Sequence, residues 1–485
     1  MTRFVYRKTA FFFCAVFLFA SSCRKDLNLS PIDQNISGPS SVATNPAGDH
    51  FYVLNADFMH NYESGSLLIL NDQAHKVGAI ATPRLGRTLL VSGNNLFLTF
   101  DHESEDTEGI VQFYDISTSS KPKLVKEWKL EECTPANLVS REAYQYFAVS
   151  CQEGDLYVGQ LKGTASTLKK VRAYPGIRDS VRKAMHIDPK RQLLFLFLTD
   201  INGGVNNTDL VEFDQETWVS GKLINRTPDE IPDAWQKTDP RSRDLLNNSS
   251  RYQFMLYDIA AEAAAGFPFR DFKTVRSTEP RWLYFNLNNF DQTPDDATNQ
   301  GDSGRKYYRT NFGDAQPDPE DPDSFYLSHR GLGKVNASEY ANDIVKVTLF
   351  NEARANSSGK VPKLTDYARF SRVYGFKGDE TGPDKYFDSF IITKLAGQKV
   401  VLLNSFRDLS TFSNPRYQIG AANLVERDLA SRWITEVSSA DIGDSYYRVS
   451  LAKNGNMLTI SFFDESLRLF NVKFGETISY VDTIQ

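Results

Sequence analysis

An all-β chain built as a ring of repeated four-stranded units is the fold the sequence predicts, and three observations predict it. One short grammar recurs along the chain: a strand, a tight turn rich in Gly, Asn, Asp or Pro, and a second, more apolar strand. Its early copies begin at residues 39, 83, 135 and 183, which is 44, 52 and 48 residues apart and the length of a four-stranded blade. Helical patterning is confined to residues 225–250 and to the run AAEAAAG at 260–266.

Taken in order, the first copy is PSSVATNPAGDHFYVLN, Pro39 to Asn55, with GSLLILN following from Gly65. The second, 83–115, reads PRLGRTLLVSGNNLFLTFD, a loop, then GIVQFYD. The third is PANLVSREAYQYFAVSCQEGDLYVGQL at 135–161, and the fourth, 183–214, gives KAMHIDPKRQLLFLFLTD, a loop, then DLVEFD. A degenerate fifth copy over 276–376 is assembled from RWLYFNL, DSFYLSHR, NDIVKVTL and ARFSRVYGF. The sixth, 386–424, is YFDSFIITKLAGQKVVLLNSF, a loop, and YQIGAANL. The seventh, 445–472, is SYYRVSLAKNGNMLTISFFDESLRLFNV, and GETISYVDTIQ after it predicts an outer strand at Thr477–Thr483. No unit can bury its own faces, and stacking in a ring buries them against neighbours while hiding most strand edges. The expectation is a seven-bladed β-propeller over 39–485, with insertions at about 225–250 and 288–323. A large β-sandwich or two smaller β domains is the competing architecture.

The first copy, with NPAGD before YVLN, resembles the YVTN-type repeat of bacterial β-propellers. The other copies depart from it in LFLTF, YFAVS, LFLFLT, VVLLN and LTISF, so the resemblance implies the fold and not one subfamily.

The N-terminus carries a separate signal. MTRFVYRK is basic, TAFFFCAVFLFA is an apolar run too short to span a membrane, and ASSC closes it with small residues before a cysteine. The segment resembles the lipobox of bacterial lipoproteins, with alanine where leucine is commonest. The resemblance implies a signal peptide at 1–22 and a mature chain that begins at Cys23 carrying acyl chains such as palmitate. It implies a membrane partner through that anchor, and the bacterial cell envelope as location, at the outer membrane on its periplasmic or surface side. A secretory signal that merely contains a cysteine is the alternative. Each buried acyl methylene contributes about 0.8 kcal/mol, so several chains together hold firmly. The polar stretch RKDLNLSPIDQNISG that follows reads as tether, giving a lipidated segment over 23–38.

The chain has 485 residues, of which 41% are hydrophobic, 13% aromatic and 24% charged, enough to bury a large core. Its formal charge of −6 becomes −9 once the first 23 residues, with Arg3, Arg7, Lys8 and no acid, are removed. An acidic body argues against nucleic acid as a partner, because phosphate binding needs a basic surface. Outside Cys14 and Cys23, the remaining cysteines are Cys133 and Cys151. They flank a segment that turns near Arg141 to Tyr144, which sets them opposite each other at the open end of one hairpin. In an oxidising compartment they read as a disulfide, with two free buried thiols as the alternative.

The repeats also locate loops. With strands labelled a to d from the centre outward, the b–c loops emerge on one face, and here they are long: ADFMHNYES at 56–64, HESEDTE at 102–108, INGGVNNT at 201–208 and FRDLSTFSNPR at 406–416. The a–b turns are tight (PAGD, SGNN, DPKR, LAGQ, KNGN). Long, variable loops on a rigid ring are where recognition is carried. Ends of successive b strands hold Asp57, Asp101, Glu153, Asp200, His329 with Arg330, Arg407 with Asp408, and Asp464, which converge on one rim of the channel as candidate binding residues. Such carboxylates suit Ca²⁺ better than Zn²⁺. Strand-end Asp also forms Asx-turns with no ligand at all, and no cofactor is otherwise implied. The six histidines show no metal-binding spacing.

GDSG at 301–304 lacks the histidine segment of a serine protease and reads as a loop. DINGGVNNTD at 200–209 and DAQPDPEDPD at 314–323 hold oxygen ligands at close spacing, yet read better as solvated turns than as calcium loops. Asn-x-Ser/Thr strings at Asn206, Asn225, Asn248, Asn336 and Asn356 read as polar loops. With no legible catalytic set, the sequence favours a monomeric, non-enzymatic binding module for a protein, glycan or small ligand. A metal-assisted hydrolase resembling propeller lactonases, or an envelope scaffold, are the alternatives.

Overall fold

The computed structural model describes residues 34–56, 65–101, 108–141, 145–151, 156–171, 184–188, 193–197, 254–258, 282–285, 309–332, 342–349, 368–375, 386–407, 416–424, 434–438, 446–461 and 466–485. Every helix-length or strand-length element among them is a β-strand. In chain order the strands are β1–β4 (Pro39–Thr44, His50–Asn55, Ser66–Asn71, Lys76–Ala81), β5–β8 (Gly86–Ser92, Asn95–Phe100, Gly109–Asp115, Lys123–Leu130) and β9–β12 (Pro135–Arg141, Tyr146–Cys151, Leu156–Gln160, Thr167–Val171). They continue as β13–β16 (Ala184–Asp188, Leu193–Phe197, Phe254–Asp258, Trp282–Phe285) and β17–β20 (Arg309–Pro317, Ser324–Leu332, Asn342–Leu349, Ala368–Gly375). The last are β21–β24 (Tyr386–Leu395, Gln398–Arg407, Arg416–Asn423, Ile434–Ser438) and β25–β28 (Tyr446–Leu451, Asn456–Ser461, Leu467–Asn471, Ser479–Ile484).

Each group of four is one antiparallel sheet with its strands in sequence order, giving seven sheets. The first strand of each sheet lies against the first strand of the next, from β1 through β5, β9, β13, β17 and β21 to β25, and β25 returns to β1. That closed circle makes the molecule a β-propeller whose inner strands surround the axis.

Burial follows radius. The second strands carry continuous apolar runs where a neighbouring blade covers each face: all six residues of β26, NMLTIS, are buried, and so are the last five of β2. The outer strands turn polar, as in KLVKEWKL of β8 and the exposed SYVD of β28. Between blades one and two, Tyr52 and Leu54 pack with Leu96 and Leu98. Between two and three, Phe97 stacks on Phe113 and Phe147, with centroids 5.1 Å apart in both pairs. His186 stacks on Phe325 at 4.0 Å between blades four and five, and burial, with Arg141 as a lesser influence, pushes its ring well below the usual histidine range. Val400 and Leu402 meet Met457 and Phe470 across blades six and seven. The ring closes where Phe51, Val53 and Leu68 of blade one join Leu458, Ile460 and Leu467 of blade seven.

The expected ring is corrected in how its blades are cut. The third strand of the fourth sheet is FMLYD, Phe254–Asp258, whereas DLVEFD, expected there, lies outside the described residues. WLYF, expected to open the fifth unit, is the outer strand of the fourth. The fifth opens with RTNFGDAQP, inside the stretch 288–323 that was expected to be an insertion. The cause is compositional. WLYF is apolar enough to pass for an inner strand, while Arg309–Pro317, with one large apolar residue, does not look like a strand at all.

Two glycines show how blades join. A Cβ on Gly65 would sit 2.3 Å from the carbonyl oxygen of Pro83, and one on Gly109 would sit 2.3 Å from that of Cys133. Each opens a third strand, and each lets the connection to the next blade cross flush against it.

Cys133, in the connection from β8 to β9, is bonded to Cys151 at the end of β10, with Cα atoms 5.1 Å apart. The bridge ties the entry of blade three to its second strand and is fully buried in the cluster around Phe97 and Phe147. Replacing both cysteines by Ala should cost about 3 kcal/mol on the chain-entropy estimate. Urea denaturation of the variant beside the oxidised parent measures this, and coincident midpoints would show that the bridge contributes nothing.

The segment before β1 is not loose throughout. Asn55, fully buried, donates from Nδ2 to the carbonyl of Asn35 and accepts the backbone N–H of Ser37, while Lys76 Nζ donates to the carbonyl of Gln34. Ile36 packs on the closing cluster together with Ile484 of β28. The stretch 34–38 is therefore a strap across the seam where the ring shuts.

Candidate functional site: the channel mouth on the b–c face

The two faces of the ring are built differently. On the face of the a–b and c–d turns, neighbouring blades are hydrogen-bonded together. The N–H of Lys453 donates to the carbonyl of Gly48, Asn454 and Asn456 donate to Asp72, and the Tyr52 hydroxyl donates to the carbonyl of Ser119. At blades five and six, Lys399 Nζ lies 2.8 Å and Lys346 Nζ 3.2 Å from the carboxylate of Asp318, whose side chain is fully buried. This is the acidic string 314–323, and its central carboxylate is held by two lysines, the Tyr326 hydroxyl and the N–H groups of Glu320 and Asp321.

The opposite face carries the b–c connections and the links between blades. The second strands end there at Asn55, Phe100, Cys151, Phe197, Leu332, Arg407 and Ser461. On this side the inner strands share a feature absent from the sequence reading. Opposite the end of its partner, each inner strand but β13 contains a β-bulge: Ser40 in β1, Arg87 in β5, Ala136 in β9, Gly313 with Asp314 in β17, Asp388 in β21 and Arg448 in β25. A bulge re-aims the side chain it carries and is frequent at barrel rims and sites.

A hydroxyl in the facing second strand often holds the bulge. Thr99 Oγ1 accepts the N–H of Thr88, Ser328 Oγ accepts the N–H of Asp314, and Thr459 Oγ1 donates to the carbonyl of Arg448. Ser150 occupies the corresponding place in blade three, but its buried Oγ makes no hydrogen bond among the described residues. In blade one the roles reverse, and the Ser40 hydroxyl donates to the carbonyl of Leu54. A signal was present: LFLTF, FAVSC, FYLSH and MLTIS each interrupt a buried apolar run with a Ser or Thr near its end.

Of the rim residues expected from sequence, Asp101 is described in full. Its carboxylate accepts from Arg87 Nη2 at 2.6 Å and Nε at 3.0 Å, so it serves a bulge arginine in its own blade. His329, Arg330 and Arg407 stand near the b–c ends of β18 and β22. Asp57, Glu153, Asp200, Asp408 and Asp464 lie outside the described residues, as do Cys23 and the strings 200–209 and 301–304. Among the described residues no three His, Cys, Asp or Glu side chains are grouped as metal ligands would be.

No protein family's sequence profile matches the chain, and no curated protein matches it by sequence. Solved propeller structures do match in outline. The β-propeller domain of Cps50 (Swd1) from Myceliophteria thermophila aligns with a TM-score of 0.48 at 8% identity, over 90% of this chain and 97% of that one. The periplasmic gluconolactonase PpgL of Pseudomonas aeruginosa aligns with a TM-score of 0.47 at 11% identity, over 91% and 94%. Sqt1 of Chaetomium thermophilum, bound to the N-terminus of ribosomal protein L10, aligns with a TM-score of 0.44 at 10% identity, over 93% and 89%. Likeness at this level carries no argument about activity, and the propeller fold stands on the chain's own sheets.

Proposed function

We propose that this chain is an envelope-tethered β-propeller that binds a partner or small ligand through its b–c face and performs no chemistry on it. The observation that carries the reading is the asymmetry of the faces. On one, the tight a–b turns and their neighbours are fastened blade to blade by hydrogen bonds and ion pairs. On the other, six of the seven second strands end beside bulged inner strands, and the third strand of the fourth blade starts on the same side as its second strand ends, at Phe254 and Phe197. A locked face is scaffold, and variable connections on a rigid ring are where binding is carried. The lipobox resemblance at Cys23 supports the tether. The hydrolase alternative draws no support from Asp101, whose carboxylate is taken by Arg87.

The test places a photo-crosslinking residue at Thr411, in the b–c loop of blade six, or at Asn94, in the a–b turn of blade two, of the full chain in its native envelope. Adducts from Thr411 alone are expected, and the N-terminal peptide of the same preparation should carry an acylated Cys23. Adducts from Asn94 alone would move the site to the other face, and an unmodified N-terminus would remove the tether.

A further inference from the structure

The outer flank of an acidic ring carries a basic surface. β8 and the turn that leads into it read KPKLVKEWK, residues 121–129, with four lysines among nine residues. β12 of the next blade and its turn read KGTASTLKK, residues 162–170, with three. Lys121, Lys123, Lys162, Lys169 and Lys170 are exposed, and Lys126 is half-buried with its Nζ 3.5 Å from the carbonyl oxygen of Thr164, so the two strands present one surface. The acids beside them are engaged, Glu127 by Gln112 Nε2 and Glu108 by Lys129, while Glu131 and Glu132 lie past the end of β8 on the b–c side.

Apolar side chains surface on the same flank. Among the described residues, the large hydrophobic side chains that stand exposed are Val77, Leu124, Tyr480 and Val481, at 47%, 47%, 47% and 50%. They belong to β4, β8 and β28, the outer strands of blades one, two and seven, which are consecutive around the ring. A Cβ on Gly78 would sit 3.7 Å from the carbonyl oxygen of Ser120, so β4 reaches the turn that leads into β8. The N-terminal segment leaves from here too. Ile36 of the strap packs with Ala79 of β4 and Ile484 of β28, and the carbonyl of Gln34 accepts from Lys76. Residues 24–33, which join the strap to Cys23, span at most about 35 Å when extended. An anchor at Cys23 would hold the ring by this flank.

We propose that the outer flank of blades seven, one, two and three is a membrane-docking surface. The lysines of β8 and β12 meet the phosphates of anionic lipid headgroups, and the exposed tips of Val77, Leu124, Tyr480 and Val481 enter the boundary between headgroups and acyl chains. Each lysine near an anionic leaflet strengthens attachment about fivefold, and aromatic and aliphatic tips suit that boundary. The proposal rests on the tethered reading and adds what the tethered body lies on. With the flank on the bilayer, the b–c mouth looks along the membrane and stays open to a partner.

The experiment uses vesicles of phosphatidylcholine alone or of an equal mixture of phosphatidylcholine and phosphatidylglycerol, each with a trace of lipid carrying a quencher on its headgroup. The full mature chain carries a fluorescent amino acid at Leu124 or, on the far side of the ring, at Ala396 in the exposed a–b turn of blade six. Quenching is expected at Leu124 in the mixed vesicles, with little in phosphatidylcholine and none at Ala396. Lys121→Gln, Lys123→Gln and Lys169→Gln together should lower the ratio of docked to undocked chains roughly a hundredfold and leave the urea midpoint unchanged, since all three side chains are exposed. No quenching at Leu124, quenching shared equally with Ala396 or between the two vesicles, or a triple variant that behaves like the parent would overturn the docking surface. Sedimentation tells this failure from failure of the tether. An acylated chain sediments with both vesicles and an unacylated one with the mixed vesicles alone, whereas an unacylated chain that sediments with neither removes both readings.

Discussion

Asp318→Leu lowers stability by about 3 kcal/mol, the low end of the cost of breaking a buried ion pair, because its lysines keep second, exposed carboxylate partners. Asp318 is the first residue of the a–b turn of blade five, and it faces Lys399 of blade six at 2.8 Å and Lys346 of β19 at 3.2 Å. Its side chain is fully buried, whereas the two lysines are 18% and 24% exposed and keep second carboxylates, Glu320 at 3.0 Å from Lys399 and Asp321 at 3.5 Å from Lys346. The Tyr326 hydroxyl loses its acceptor. Burial by itself would raise the Asp318 carboxyl, but the hydrogen bonds from Lys399, the N–H of Glu320 and Lys346 outweigh it and leave the group below its ordinary value. The sign of the linkage follows. A carboxyl depressed in the folded state contributes stability that is complete above the unfolded value, about 3.9, and is lost as pH falls through the lower folded one. Urea denaturation at pH 7 and at a series of pH values below 4 should show the parent losing this contribution in acid, while Asp318→Asn shows a smaller loss from a lower starting point. A variant as stable as the parent at pH 7 would mean that the network is no more than a solvated surface cluster.

The architecture was legible where a blade obeys the rule of a first strand, a tight turn and a second strand with a continuous apolar run. HFYVLN, NLFLTF and NMLTIS declare themselves because two neighbouring blades bury both faces, which turns alternation into a continuous run. The disulfide was legible for a local reason: Cys151 pairs with Pro135, two residues from Cys133, so one hairpin sets both positions. Blade five resisted because its first strand, RTNFGDAQP, is held by its neighbours and by a bulge more than by its own hydrophobicity. Of the candidate rim, the sequence displays the strand-end acids and hides the bulges. Strand-end acids stand out in a sequence, and the one described, Asp101, serves Arg87. The bulge residues do not stand out, because a bulge is a property of two strands in register and neither strand states it alone.

Removing residues 475–485 should leave no cooperatively folded body. The segment holds β28, the fourth strand of blade seven, so its loss strips β27 of its ladder from Leu467 to Asn471 and exposes an edge. It also removes Ile478, 4% exposed in the cluster between blades six and seven, and Ile484, which lies with Ile36 on the cluster that closes the ring. Phe470 loses the edge-on ring of Tyr480 at 5.8 Å. Deleting a buried aliphatic side chain costs about 2–5 kcal/mol, and each ladder hydrogen bond contributes roughly 1 kcal/mol. The sum is on the order of 5–10 kcal/mol, comparable with the whole stability of a typical domain. Every blade in a closed ring leans on two neighbours, so damage at this seam reaches both chain ends. A graded series makes the test specific. Deleting 24–33 should shift the urea midpoint little. Deleting through Gly38 removes the Asn55 bonds and the packing of Ile36, so about 2–4 kcal/mol should go. Deleting 475–485 should abolish the transition. If that last protein unfolds cooperatively near the midpoint of the parent, the seam between blades one and seven is not what holds the ring shut.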